Sequence, residues 1–325
     1  MIAFAHKPVM FEEVMDVFAP LESGVFVDGT LGAGGHSEGL LTRGEHRFVL
    51  GLDRDPSAVA AAAVRLAGFS GRFIPMHREF DQLGEALGDA CDDNASFCGA
   101  PSAVLLDLGV SSPQLETAAR GFSYRLEGPL DMRMDPSKGQ SASEYLEDVS
   151  LDDLAKLLRE NGETRFARRI AKSILAGRPY RSTLQLAEVV KLSIPAAARR
   201  SGGHPATRVF QALRIKVNNE LEKLQQGLEK AFRLLAPGGR IAVLSYHSGE
   251  DSIVKSLFRE QVTGGCTCPP RYGCVCGAVP MAKYVVRSKV PSKEEIESNP
   301  RSRSARLRAI EILDISESRS GGKDG

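Results

Sequence analysis

Asp28, Asp53 and Asp107 are the residues of this chain whose type and setting first suggest chemistry. VDGTLGAGGHS, residues 27–37, puts Asp28 and then Gly29, Gly32, Gly34 and Gly35 behind an apolar β-branched run. A dinucleotide fingerprint requires G-x-G-x-x-G, and counted from Gly32 the third position is Ser37, so a pyrophosphate cradle is not indicated. A carboxylate in such a turn repels pyrophosphate and attracts an ammonium or sulfonium, while glycines let a ligand approach the backbone. Asp53 ends a second apolar run twenty-one residues after Gly32, where an acid receives ribose hydroxyls. DLGVSSPQ, residues 107–114, ends a further apolar run with Asp107 and a Ser-Ser-Pro turn.

The elements that must carry these residues alternate. GVFVDGT (24–30), RFVLGLD (47–53), RFIPMH (72–77), AVLLDLG (103–109) and RIAVLSY (240–246) read as buried parallel strands. PSAVAAAAVRLAG and DQLGEALGDA have helical composition, so the first 110 residues predict repeated βα units in a doubly wound α/β sheet. The fourth and fifth strands are about 130 residues apart, too far for one connection, so a segment is inserted between them. SLDDLAKLLRENGETRFARRIAKSILAGR predicts helix, with Ser150 as N-cap and breaks at Gly162 and Gly177. TRVFQALRIKVNNELEKLQQGLEKAFRLLAPGG predicts one more helix, returning the chain to the fifth strand. The expected organisation is a catalytic domain of residues 1–115 and 207–315, an inserted helical substrate-recognition domain at 116–206 and a disordered tail at 316–325.

A formal net charge of +1 hides a strong asymmetry. Arg165 to Lys216 holds twelve Lys or Arg against one acid, Glu188, whereas residues 141–163 hold seven acids and two bases. Such a block points to a polyanion, and Arg165, Arg168, Arg169 and Lys172 recur at helical spacing as candidate RNA-binding residues. Lys283 to Arg308 is a second basic stretch, with eight bases and three acids.

The glycine loop with a ribose-binding acid resembles S-adenosylmethionine-dependent methyltransferases. DLGVSSPQ resembles a variant of the Asp-Pro-Pro-aromatic motif of amino-methyltransferases. It has no cysteine, which carbon-5 pyrimidine methylation would need, so nitrogen is the expected acceptor. Asp107, Ser111 and Ser112 are the candidate catalytic residues, accepting hydrogen bonds from a poorly nucleophilic exocyclic amine and orienting it. HKPVM, DGTLGAGGHS, LDRDP, DLGVSSPQ, RGFSY, PLDMRMD, TRVFQALRIKVNNEL, YHSGEDSIVK and NPRSRSARLRAIE follow in order from His6 to about Leu313. Together they resemble the RsmH (MraW) family of bacterial 16S ribosomal RNA cytosine-N4 methyltransferases.

That resemblance implies a class I (Rossmann-like) methyltransferase fold with an inserted helical domain, S-adenosyl-L-methionine as cofactor, and 16S rRNA in the small ribosomal subunit as partner. It implies cofactor contacts at Gly34, Gly35, His36, Asp53, Phe80, Asp107 and Gln114. Physical counterparts exist for several: glycine backbone beside the methionine moiety, Asp53 on ribose, and Phe80 as an apolar wall for adenine. Two positions depart from the family pattern. Gly249 stands where a bulky residue usually follows His-Ser, and Ser252 where an arginine usually follows Glu-Asp, which puts any role of His247, Glu250 and Asp251 in doubt.

Cys266, Cys268, Cys274 and Cys276 form C-x-C-x5-C-x-C around a Pro-Pro turn. Structural zinc sites more often use wider spacing, so the expectation is no metal, and six cysteines in a chain of this size do not indicate a disulfide scaffold. No stretch of eighteen apolar residues occurs and the first residues carry acids, so a cytoplasmic chain with no membrane or DNA partner is expected. A nicotinamide dehydrogenase fails the fingerprint at Ser37; a non-catalytic RNA-binding or assembly factor is the alternative that shares the basic block.

Overall fold

A computed structural model describes residues 8–196, 204–269 and 275–314. The chain divides into two compact units, residues 1–109 with 221–325, and residues 110–220.

The first unit is built on a seven-stranded sheet. Its strands are β1 (Ser23–Asp28), β2 (His46–Asp53), β3 (Phe73–His77), β4 (Ala103–Asp107), β5 (Arg240–Ser245), β6 (Ala282–Lys289) and β7 (Arg306–Ile312). The order is β3-β2-β1-β4-β5-β7-β6, with β1 to β5 parallel and β7 antiparallel to both neighbours. The period-two alternation of side chains sorts the apolar runs onto two faces. Val25, Val27, Leu50, Leu52, Val104, Leu106, Ile241 and Val243 pack with the helices Leu83–Asp93 and Glu220–Leu234. Phe26, Val49, Leu105, Ala242 and Leu244 pack with the helix Phe11–Phe18 and with Leu40, Leu41 and Leu66. Helices on both faces explain why β1, β2, β4 and β5 are apolar for most of their length. Strand order reverses between β1 and β4, so the carboxyl ends of β1, β2 and β4, where Asp28, Asp53 and Asp107 lie, form the switch region in which such sheets bind ligands.

The second unit is helical. Leu151–Glu160, Ala167–Ala176, Thr183–Ser193 and Ala206–Val217 surround a core that includes Leu154, Leu158, Ile170, Ile174, Leu186, Val209, Phe210 and Leu213. Ser150 caps the first of these, its hydroxyl accepting from the Asp153 N–H at 3.1 Å. Truncating a fully buried Leu such as Leu154 or Leu213 costs about 2–5 kcal/mol, so each of these apolar positions matters to the unit's stability.

Four sequence expectations need correction. The compact helical unit is wider than 116–206, because Val209, Phe210 and Leu213 pack into its core. The single helix expected after residue 206 is two, Ala206–Val217 and Glu220–Leu234, interrupted where Asn219 adopts φ 49°, a left-handed conformation that Asn tolerates. β6 and the start of β7 lie in the basic stretch 283–308, where no strand was expected. Cys91 and Cys98 form a disulfide with Cα atoms 4.5 Å apart. The tail 316–325 lies outside the described residues.

Candidate active site

The acid-glycine loop follows β1 directly. Asp28 is buried, with Oδ2 accepting the Ser37 hydroxyl at 2.7 Å and Oδ1 the Thr30 N–H at 3.3 Å. Burial pushes its pKa up to about 6, against the lowering effect of the Ser37 hydroxyl. Asp28 therefore ties the loop to the helix Gly35–Thr42. The glycines divide their labour. Gly34 has φ 78°, and a Cβ there would meet Leu66 at 3.0 Å, so packing and backbone conformation demand it. Gly32 has φ 51°, with no atom nearer than 3.9 Å to the place of a Cβ. Gly35 begins the helix; a Cβ there would press on Pro8 at 2.5 Å. Among the described residues no side chain caps this helix, so its first-turn N–H groups suit an anionic ligand.

Asp53 ends β2 and turns back to the same loop. Its Oδ2 accepts the Gly32 N–H and its Oδ1 the Asp55 N–H, each at 2.8 Å. These bonds orient the carboxylate and use two of its roughly four acceptor positions, leaving capacity for a diol. Burial raises the Asp53 pKa, and the two N–H donors oppose that shift.

Asp107 ends β4. Its Oδ1 accepts the Tyr246 hydroxyl at 2.7 Å, its Oδ2 lies 3.5 Å from His36 Nε2, and its own N–H donates to the Thr30 hydroxyl at 2.5 Å. His36 is 6% exposed against 24% for Asp107, and among the described residues neither ring nitrogen of His36 has a hydrogen-bond partner. An orphaned polar ring in a site this buried fits a place completed by a ligand. Tyr246 follows β5, the neighbour of β4, and burial drives its pKa well above the usual phenol range. It therefore stays a protonated donor.

YHSGED is the start of the helix Ser248–Thr263. The Glu250 carboxylate accepts the Tyr246 N–H at 2.7 Å and the His247 N–H at 3.3 Å, and His247 Nε2 lies 3.1 Å from it. His247 and Glu250 are thus a helix cap that fixes the Tyr246 backbone. Asp251 is held by Arg308 of β7 at 2.7 and 3.1 Å. Gly249 leaves room against the His247 ring, where a Cβ would stand 3.1 Å from Nδ1.

Of the remaining sequence candidates, Phe80 is core by burial. It is 7% exposed, and Gly29 and Gly227 leave room for it, since a Cβ on either would lie within 3 Å of it. Ser111, Ser112 and Gln114 belong to the helical unit and Asp107 to the sheet unit. Ser111 and Gln114 form a capping box on the short helix Ser112–Glu116, with the Ser111 N–H donating to Gln114 Oε1 at 3.0 Å. Sequence reasoning missed Tyr246 and Thr30. The only available signal for Tyr246 was its place at the end of an apolar run expected to be a strand.

On the helix Ala167–Ala176, Ala167, Ile170, Ala171 and Ile174 are buried while Arg168, Arg169 and Lys172 face solvent, as does Arg165 just before it. The acid-rich segment partly neutralises the basic block. Arg168 pairs with Asp152 and Arg208 with Glu163, whereas Arg165, Arg169 and Lys172 make no ion pair among the described residues. Cys266, Cys268 and Cys276 lie together, and Cys274 falls outside the described residues.

The sequence profile of the MraW methylase family matches residues 3–313. A ribosomal RNA small subunit methyltransferase H of Heliobacterium modesticaldum is 46% identical over 318 residues, covering 96% of this chain and all of that protein. Its namesake from Trichlorobacter lovleyi is 48% identical over 316 residues, covering 95% and 99%. A solved rRNA methylase from Streptococcus thermophilus aligns over 95% of this chain and all of its own, at 11% identity and a TM-score of 0.43, too distant to carry weight. With the family profile matching residues 3–313 and 46–48% identity over nearly the full length of these relatives, the chain belongs to the MraW methylase family.

Proposed function

We propose that this chain methylates the N4 exocyclic amine of a cytidine in 16S rRNA of the small ribosomal subunit, using S-adenosyl-L-methionine, in the cytoplasm. The observation that carries the reading is the convergence of Tyr246, His36 and Thr30 on Asp107 at the switch region that also presents Asp53. When bound, the cofactor supplies an electrophilic methyl group on a sulfonium. Asp53 has acceptor capacity for its ribose hydroxyls, and the uncapped start of the helix Gly35–Thr42 suits its carboxylate. Gly34, Gly35 and His36 would line the methionine end, and the small exposed part of Phe80 the adenine.

An exocyclic amine delocalises its lone pair into the ring, so it must be held with its protons accepted elsewhere. The Asp107 carboxylate is fixed by the Tyr246 hydroxyl and retains acceptor capacity for an amine proton. Ser111 and Ser112 as contacts of the base and Gln114 as a contact of the cofactor rest on the family resemblance alone; within the helical unit Gln114 Oε1 caps the helix Ser112–Glu116. Arg165, Arg168, Arg169 and Lys172 would contact phosphates. Among the described residues no helix is long and apolar enough to cross a membrane.

Methyl transfer from labelled cofactor to small subunits and to naked 16S rRNA tests this directly. In Asp107→Asn, single-turnover methylation should fall by about 10² or more, with cofactor affinity within about threefold, the scale of losing a positioned proton acceptor. Parallel loss of affinity would make Asp107 a cofactor ligand only. RNA binding by the wild type without label transfer would favour a non-catalytic assembly factor.

A further inference from the structure

The helix Ser248–Thr263 is capped at Gly264, and the chain re-enters the sheet at Ala282. The two ends of the intervening loop are fastened together. Gly264 has φ +61°, and a Cβ there would stand 2.3 Å from the Val279 carbonyl oxygen, an approach only glycine permits. The Met281 N–H donates to the Gln261 carbonyl at 2.8 Å, and the Gly265 N–H to the Glu260 carbonyl at 3.0 Å. Within this loop the sulfurs of Cys266, Cys268 and Cys276 all lie within 4.8 Å of one another, and all three are thiols rather than disulfide sulfurs.

We propose that Cys266, Cys268 and Cys276 form a zinc(II) site that staples this loop. Two Zn–S bonds of about 2.3 Å at a tetrahedral angle set sulfurs about 3.8 Å apart, so the trio needs to contract by no more than about 1 Å. The narrow C-x-C spacing, which argued against a metal in the sequence, suits an extended backbone, where residues i and i+2 point to the same side and present both thiols to one ion. Cys276 then arrives from the returning arm. Sulfurs this close suit one ion rather than a multi-iron cluster, whose thiolates sit on separate metal atoms. Val275 and Val279 in the same segment are 88% and 56% exposed, so these two side chains do not anchor the loop. Binding one Zn²⁺ releases three protons as three thiols become thiolates, with no change of oxidation state, and the fourth vertex is left to a ligand from outside the trio.

The test is metal content of the full-length protein purified under reductant, measured by plasma mass spectrometry with zinc as the probe. About one zinc per chain is expected, removable by a strong chelator and restored by zinc alone. Cobalt(II) in its place should give a sulfur-to-metal charge-transfer band. Cys268→Ser should retain less than about a tenth of the zinc, while the double variant Cys91→Ser/Cys98→Ser retains all of it. Reduced wild-type protein that takes up no zinc and shows no cobalt band overturns the site, as does Cys268→Ser that keeps a full equivalent. If Cys268→Ser fails to fold, the cobalt spectrum of the wild type decides.

Discussion

Tyr246 reaches Asp107 from β5 with its hydroxyl proton fixed by burial, so it acts as a positioning residue for the carboxylate that would hold the acceptor amine. Tyr246→Phe removes one hydrogen bond to a charged group, a contribution of about 1.5–3 kcal/mol. Single-turnover methylation should fall by about ten- to a hundredfold while cofactor affinity stays within about threefold; a rate equal to wild type would deny Tyr246 that role. Asp53 differs because its expected partner is the cofactor itself. In Asp53→Ala the ribose hydroxyls lose a charged acceptor, and affinity for S-adenosylmethionine by calorimetry should weaken at least about tenfold. Unchanged affinity would remove Asp53 from the site. Asp53 and Asp107 could be picked out from their places at strand ends. Tyr246 could not, because a tyrosine ending an apolar run reads as core until the adjacency of β4 and β5 is known.

The helix Ala167–Ala176 shows how a charge count becomes a surface only after folding. Twelve bases between Arg165 and Lys216 stand in the sequence beside an acidic segment, and the fold sets Asp152 against Arg168 and Glu163 against Arg208. Arg165, Arg169 and Lys172 keep their charges unpaired among the described residues and should carry most of the RNA footprint. Changing all four candidates to Gln should lower the slope of log affinity against log salt by about 2, with cofactor binding unaffected, whereas Arg168→Gln alone should change it little. Titrations of rRNA at several salt concentrations measure both; an unaltered slope in the quadruple variant places the footprint elsewhere. Four of the five parallel strands, β1, β2, β4 and β5, were legible because burial on both faces makes them near-continuous apolar runs. β6 and β7 were hidden within a basic stretch, since KYVVRSK is a half-exposed edge strand and RLRAIEI alternates charged with apolar residues. The break at Asn219 was equally opaque, because NNE carries no glycine or proline to mark it.

The stability of the chain as a whole should carry the mark of Asp28. Its pKa is raised from 3.8 to about 6 by burial, so the folded state binds its proton more tightly than the unfolded state does. Stability from this group is present at low pH and is lost as pH rises through that window, by about 3 kcal/mol in total. Urea unfolding of wild type and Asp28→Asn from pH 4 to 7 should show the variant gaining on the wild type by about this amount. A constant difference between the two would mean that Asp28 titrates normally. The sheet also has a history written into its order. β4 pairs on one side with β1 and on the other with β5, which follows 133 residues after Asp107. During synthesis, at about 5–20 residues per second, the edge of AVLLD has no pairing partner for on the order of ten seconds while the helical segment emerges. That interval is when a growing chain of this kind is most open to capture by another strand or by a chaperone. The arrival of β5, itself closed off by β7, ends that exposure.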